Sequence, residues 1–195
     1  VIAGLTTKSN VIGFVGGMDF PLINKFEYGF KAGVASVNPG AKVLSTYTGV
    51  FDSPDKGKEV ALSQFKQKAD VIYHASGACG IGVIQAADEK GFWAIGVDMD
   101  QAAQSKNNKV LCSMIKRVDV ATYTMSKAYA DGTFKAGVTT LGLKEEGVGY
   151  SDNGKNVSAE TAAVVDKYKA AIVDGTIVVP DTKDAFAAFK PVEMK

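Results

Sequence analysis

Residues 11–33 read VIGFVGGMDFPLINKFEYGFKAG. Val11–Val15 is a short, almost wholly apolar run closed by Gly16-Gly17, the pattern of a strand buried on both faces of a parallel sheet. Beyond it Ile23, Phe26, Phe30 and Val34 recur at helical spacing, with Asn24, Lys25, Glu27 and Lys31 between them. The unit is strand, glycine-rich turn, helix. In an open α/β sheet such a junction lies at the carboxyl edge of the strands, where ligands meet helix N-termini.

The same alternation continues outward. Lys42–Tyr47 is strand-like and Gly49–Ser53 a loop; Ser53-Pro54 then supplies an N-cap and a first-turn proline for a helix over Asp55–Ala69, with Ala61, Leu62, Phe65 and Ala69 inward. Asp70–Ser76 predicts a strand, Ser76–Gly82 a glycine-rich turn, and Val83–Lys90 a helix ended by Gly91. Phe92–Val97 is a further strand closing on Asp98-Met99-Asp100. After a polar loop, Gln101–Lys109, come a strand at Val110–Ile115 and a helix at Val120–Asp131. Past Gly137 the pattern changes to short strands at Thr140–Leu143 and Val148–Tyr150, a Ser158-capped helix running to Gly175, a last strand at Thr176–Val179 and a short helix in DAFAAFK.

Strands alternating with single helices call for a doubly wound parallel sheet, because parallel neighbours need a crossover. Residues 11–137 make one such lobe. Residues 138–195 are too few for a second; they read as a return segment completing a lobe whose main part is absent. Residues 1–10 read as a hinge or linker. The chain opens on Val1-Ile2-Ala3-Gly4, without an initiator Met and inside an apolar segment, and is expected to be processed or truncated.

Composition removes several classes. With 22 Lys+Arg against 21 Asp+Glu and no basic cluster, there is no electrostatic footprint for nucleic acid. Cys79, Cys112 and the lone His74 offer neither a zinc pattern nor a disulfide framework. No apolar run is long enough for a membrane span, and no signal peptide opens the chain.

At the carboxyl edges of the strands the sequence offers Gly16–Phe20, Thr48–Asp52, Ser76–Gly80, Asp98–Asp100 and Lys116-Arg117, a set without a nucleophile–base pair. His74 sits inside a strand run and reads as a core or interface histidine. Phe26 is either a core residue of its stripe or a platform for a planar ring. Asp98 either caps a turn or accepts hydrogen bonds from neighbouring hydroxyls, as sugars are often held. Lys116 reads by itself as a surface lysine. The turn Gly77-Ala-Cys-Gly80-Ile-Gly82 is close to a dinucleotide fingerprint, with Asp98 where a ribose-binding acid would stand, but Gln85 occupies the place of the third glycine. No Walker A sequence is present, so no cofactor is expected.

Several separated segments together are more specific: residues 13–33, YTGVFDSPDKGKEVA (47–61), YHASGACGIGVIQAADEKG (73–91), IGVDMDQ (95–101), SMIKRVD (113–119) and GVGYSDN (147–153). In order and spacing they resemble the basic membrane protein family, substrate-binding lipoproteins of bacterial nucleoside ABC transporters. The resemblance implies a periplasmic-binding-protein type I-like α/β fold of two doubly wound lobes that close on a nucleoside. It further implies that this chain is the second lobe plus the return segment of the first, with half the site and the lipid-anchoring cysteine outside it. The implied ligand residues are Phe26, stacking on the base; Gly77, approaching through its backbone; Asp98, holding ribose hydroxyls; and Lys116, reaching the ligand or bracing Asp98. Tyr47 and Phe51 are further cleft candidates without an assigned role. The implied partners are a purine nucleoside (inosine, guanosine or adenosine) and the permease subunits; the exposed face left by the absent lobe is expected to be apolar and to favour self-association. The rivals are a nucleotide-dependent oxidoreductase with a degenerate fingerprint and a periplasmic-type sensor module.

Overall fold

The apolar run at the head of the chain forms β1 (Val11–Gly16), buried from Ile12 onward, and α2 (Pro21–Val37) follows it with Pro21 in its first turn, after a short α1 (Ile2–Thr6). The computed structural model describes residues 1–194. Then come β2 (Lys42–Tyr47), α3 (Pro54–Lys66), β3 (Val71–Ala75), α4 (Cys79–Lys90) and β4 (Trp93–Gly96). A 3-10 turn at Ala102–Gln104 leads to β5 (Val110–Lys116), α5 (Val118–Ala130), β6 (Val148–Ser151), α6 (Ala159–Val173) and α7 (Lys183–Ala188).

The strands form one six-stranded sheet in the order β2-β1-β3-β4-β5-β6. β1 to β5 run parallel, with Ile12 beside Val43 and Val71 and Tyr73 beside Ile95; β6 returns antiparallel along β5, pairing Met114 with Tyr150. Both faces are covered, which is why the strands read as continuous apolar runs. On one face Ile12, Phe14, Val71, Tyr73 and Leu111 pack with Ile2 of α1 and with Ile23 and Val34 of α2. On the other, Val15, Ile72, Ala94 and Val110 meet Ala61 of α3 and Val83, Ile84 and Ala87 of α4.

Helix α4 begins at Cys79, so the expected turn over Ser76–Gly82 is mostly helix. The glycines serve packing instead of a loop. A Cβ on Gly82 would stand 1.8 Å from the Pro54 carbonyl oxygen, and one on Gly57 1.9 Å from that of Cys79. α3 and α4 approach through these two gaps, and a glycine committed to a helix contact cannot cradle a pyrophosphate, which counts against the dinucleotide reading. Gly91 ends α4 in the left-handed conformation as expected.

Two predicted strands are absent. Thr140–Leu143 is irregular, and the stretch closes on itself through Gly147 N–H to Gly142 O at 2.8 Å. At Thr176–Val179 the Ile177 amide donates to Ala171 O at 2.9 Å, completing the C-terminus of α6, so it has no ladder bond to give.

Beyond residue 137 the chain stays in contact with the part before it. β6 belongs to the one sheet; α6 buries Tyr168 and Ala171 with Ile177 against Val1 and Val37; and Phe186 of α7 stacks on Tyr28 of α2 at 5.9 Å. Residues 1–10, read as a linker, contain α1, which is seated on the sheet through Ile2 and Ala3. By contrast α5 buries no residue, and Val118, Tyr123, Tyr129, Phe134 and Val138 in and after it are exposed.

Candidate ligand-binding site

From β1 the chain steps to β2 on one side, while β3 lies on the other, so strand order reverses at β1 and β3. A crevice is expected at that switch point, outside the carboxyl ends of the strands. Three loops meet there. Gly17 N–H donates to Ala75 O at 3.0 Å, Gly49 N–H to Gly17 O at 2.9 Å, and Ala78 N–H to Phe51 O at 2.8 Å, tying the loops after β1, β2 and β3 together.

Gly77 stands at their junction with φ +57°, a conformation L side chains rarely adopt, and a Cβ on it would lie 2.9 Å from Phe51 O. A Cβ on Gly17 would fall 2.1 Å from the Phe51 ring. The two glycines make the slot in which that ring lies, and Phe20, the N-cap of α2, meets it edge to face at 6.2 Å and 77°. Phe20 and Phe51 thus form an aromatic corner beside the Gly77 backbone.

Phe26 lies elsewhere in kind. It is inside α2, partly buried and packed against the core cluster that holds Phe14 and Tyr73. Sequence spacing leaves its core and ligand readings open, and its contacts are those of the core. Phe51 is a cleft candidate to which the sequence assigns no role; the signal for it is the pair of glycines flanking its loop in space, at positions 17 and 77, which are far apart in sequence.

At the start of α2 this sheet edge carries a polar cluster. Glu27 is buried and accepts from Tyr47 OH and Lys31 Nζ in short hydrogen bonds, while Asn24 donates to Tyr47 OH at 2.9 Å and to Asp19 at 2.8 Å. Burial works to raise the Glu27 carboxyl; the bonds from Lys31 and Tyr47 outweigh it and hold it below its ordinary value. Burial and the same bond to Glu27 push the Tyr47 phenol well up, so it remains a donor.

On the other side, Asp98 follows β4 with φ +69°, and Lys116 ends β5. The structure brings them together: Lys116 Nζ lies 2.7 Å from Asp98 Oδ1, with the side chains 48% and 49% exposed. The Lys116 amide also donates to Asp98 O at 3.0 Å. A pair this exposed contributes about 0–1 kcal/mol to stability. It sets a carboxylate and an ammonium side by side at the carboxyl edge of the sheet.

Behind this rim His74 Nε2 is 2.8 Å from Gln101 Oε1, in a fully buried position. Burial pushes the imidazole down to about 4, against the opposing hydrogen bond to Gln101. Among the described residues no group of three or more His, Cys, Asp or Glu is placed to hold a metal ion, and no helix is long and apolar enough to cross a membrane.

Residues 1–183 match the family model described as ABC transporter substrate-binding protein PnrA-like, the Bmp family. The chain belongs to the Bmp family. Among its Bmp relatives are the CD4+ T-cell-stimulating antigen of Listeria monocytogenes, 41% identical over 93% of this chain and 55% of that protein, and the ABC transporter nucleoside-binding protein BmpA of Lactococcus lactis, 36% identical over 92% and 56%. An ABC transporter solute-binding protein from Aeropyrum pernix superposes with a TM-score of 0.76 at 28% identity, covering 91% of this chain and 60% of that one. The chain thus spans little more than half the length of the Bmp proteins it matches. The periplasmic-binding-protein type of α/β fold is the one the sequence leads one to expect.

Proposed function

We propose that this Bmp chain is the larger part of an extracytoplasmic, lipid-anchored receptor that captures a purine nucleoside and passes it to an ABC permease, without catalysing a reaction. The observation that carries the reading is the Asp98–Lys116 pair on the same sheet edge as Gly77 and the Phe20–Phe51 corner. A nucleoside offers a flat π-face and vicinal hydroxyls. An aromatic wall rewards the first, and a carboxylate accepting two hydroxyl protons rewards the second. The name of the Lactococcus relative, a nucleoside-binding protein, agrees in ligand class.

In this reading Phe51, in place of Phe26, faces the base, Gly77 lets the backbone approach it, Asp98 holds the ribose and Lys116 braces Asp98. The remaining half of the site lies on the portion of the receptor beyond this chain, which also covers the exposed face of α5; closure of the two parts traps the ligand.

Calorimetric titration of the full-length receptor with inosine, guanosine, adenosine, cytidine and ribose tests this. Purine-selective binding is expected, weakened about tenfold or more in Phe51→Ala and much less in Phe26→Ala. Absence of nucleoside binding, or a larger loss in Phe26→Ala, refutes the assignment.

A further inference from the structure

We propose that Gln101 is a positioning residue that fixes the Asp98 carboxylate for its ligand, through a buried clamp with His74 and Ser113. The inference rests on the reading of Asp98 as the carboxylate that holds sugar hydroxyls.

Asp98 sits at the apex of a short loop between Val97 and Gln101, in a left-handed conformation that needs support from outside the residue. Gln101 folds its side chain back on the start of that loop. Its Oε1 accepts from Val97 N–H at 2.9 Å, closing the loop into a ring. The same atom is 2.8 Å from His74 Nε2, and the Gln101 amide donates to Ser113 Oγ at 3.0 Å. His74 and Ser113 are fully buried and Gln101 nearly so. The loop is therefore anchored inward to β3 and β5, while Asp98 and Met99 at its tip are exposed.

The orientation of the clamp follows from its donors. A backbone N–H can only donate, so the atom of Gln101 facing Val97 must be the amide oxygen. That oxygen accepts from His74 as well, which places the imidazole proton on Nε2 and leaves Nδ1 bare; Nδ1 has no hydrogen-bond partner. The ring cannot swing away, because a Cβ on Gly80 would lie 1.9 Å from its Cε1, so the first turn of α4 rests directly on it. Further along the loop, Asp100 accepts from Ser151 of β6 in a short hydrogen bond and from Ala102 N–H at 2.9 Å. Asp98 thus lies between two fixed points, and the Gln101 side chain joins them by bonding Val97 at the start of the loop.

The test uses the full-length receptor and two probes, inosine and 2′,3′-dideoxyinosine, which lacks the hydroxyls assigned to Asp98. Gln101→Met keeps the length of the side chain and removes its acceptor. It is expected to weaken inosine about tenfold while changing dideoxyinosine by less than about twofold. Asp98→Asn should show the same loss of discrimination, and the double variant should be no worse than Asp98→Asn alone. Amide exchange at Met99 and Lys116, whose N–H groups bond Val97 O and Asp98 O, should accelerate in Gln101→Met while β1 amides stay protected. Should Gln101→Met fold poorly, Ser113→Ala is expected to give the same selective loss, at about threefold. Equal weakening of both probes, or retained discrimination in a folded Gln101→Met where Asp98→Asn has lost it, overturns the proposal. Discrimination unchanged in Asp98→Asn overturns the sugar assignment instead, and unaltered exchange at Met99 and Lys116 then removes the clamp as well, whereas accelerated exchange keeps it as a device of the loop.

Discussion

Acidification should destabilise this protein in a window set by His74. Its imidazole is fully buried, and burial holds it at about 4 against an ordinary 6.5, with the Gln101 hydrogen bond and the Asp98 charge pulling the other way. In the unfolded chain His74 takes up a proton as pH falls through about 6.5; in the folded chain it stays neutral until about 4. Between those values the unfolded state binds more protons, so stability falls with pH. The contribution is complete above about 6.5 and gone below about 4. At about 1.4 kcal/mol per pH unit the whole amounts to about 3 kcal/mol, of which about 2 or slightly more is lost between pH 7 and pH 4.5. Glu27, Asp88 and Asp100, held below their ordinary values, lose their own contribution at lower pH and do so in any variant. The assay is urea unfolding of the wild type and His74→Gln at pH 7 and pH 4.5. The glutamine places a donor near the position of Nε2 but cannot titrate. The wild type should lose about 2 kcal/mol more than the variant. A difference below about 0.5 kcal/mol refutes the argument that the imidazole is held neutral by burial.

Two other outcomes bear on packing and on the open face. Gly82→Ala drives a methyl into the Pro54 carbonyl and should cost about 1–3 kcal/mol, a fall of about 3–10 °C in calorimetric Tm, while Gly149→Ala, with open space around its Cβ, should shift Tm little. An unchanged Tm in Gly82→Ala would mean that α3 and α4 separate freely. In analytical ultracentrifugation the 195-residue chain should self-associate through the apolar surface of α5, and the pair Tyr123→Ser and Val138→Ser should weaken that association about tenfold or more; a wild type that stays monomeric at high concentration counts against this.

Most of the fold was legible because its signals are local. Buried parallel strands read as short apolar runs between glycine and polar stops, and β2 ends where its residues predict; Ser53 and Ser158 cap α3 and α6 as their positions imply. Of the candidate site, the positions of Gly77 and Asp98 after strands were legible, since the carboxyl edge of a doubly wound sheet follows from chain order alone. Where the reading failed, the deciding contact was remote in sequence. Gly80 and Gly82 look like turn residues until α3 and His74 are placed against them. Thr176–Val179 has strand composition, yet its amide is taken by the end of α6.

The order of residues was enough for the alternation of strand and helix, for the carboxyl edge of the sheet and for membership of the Bmp family, because periodicity and motif order are properties of the chain alone. The packing of the folded chain settled what no local signal could: that Phe51 lies against Gly17 and Gly77 while Phe26 joins the core, that Lys116 meets Asp98, and that His74 meets Gln101. Those depend on distances across strands that are neighbours in the sheet but not in sequence, and on which of two faces a side chain takes once both are covered.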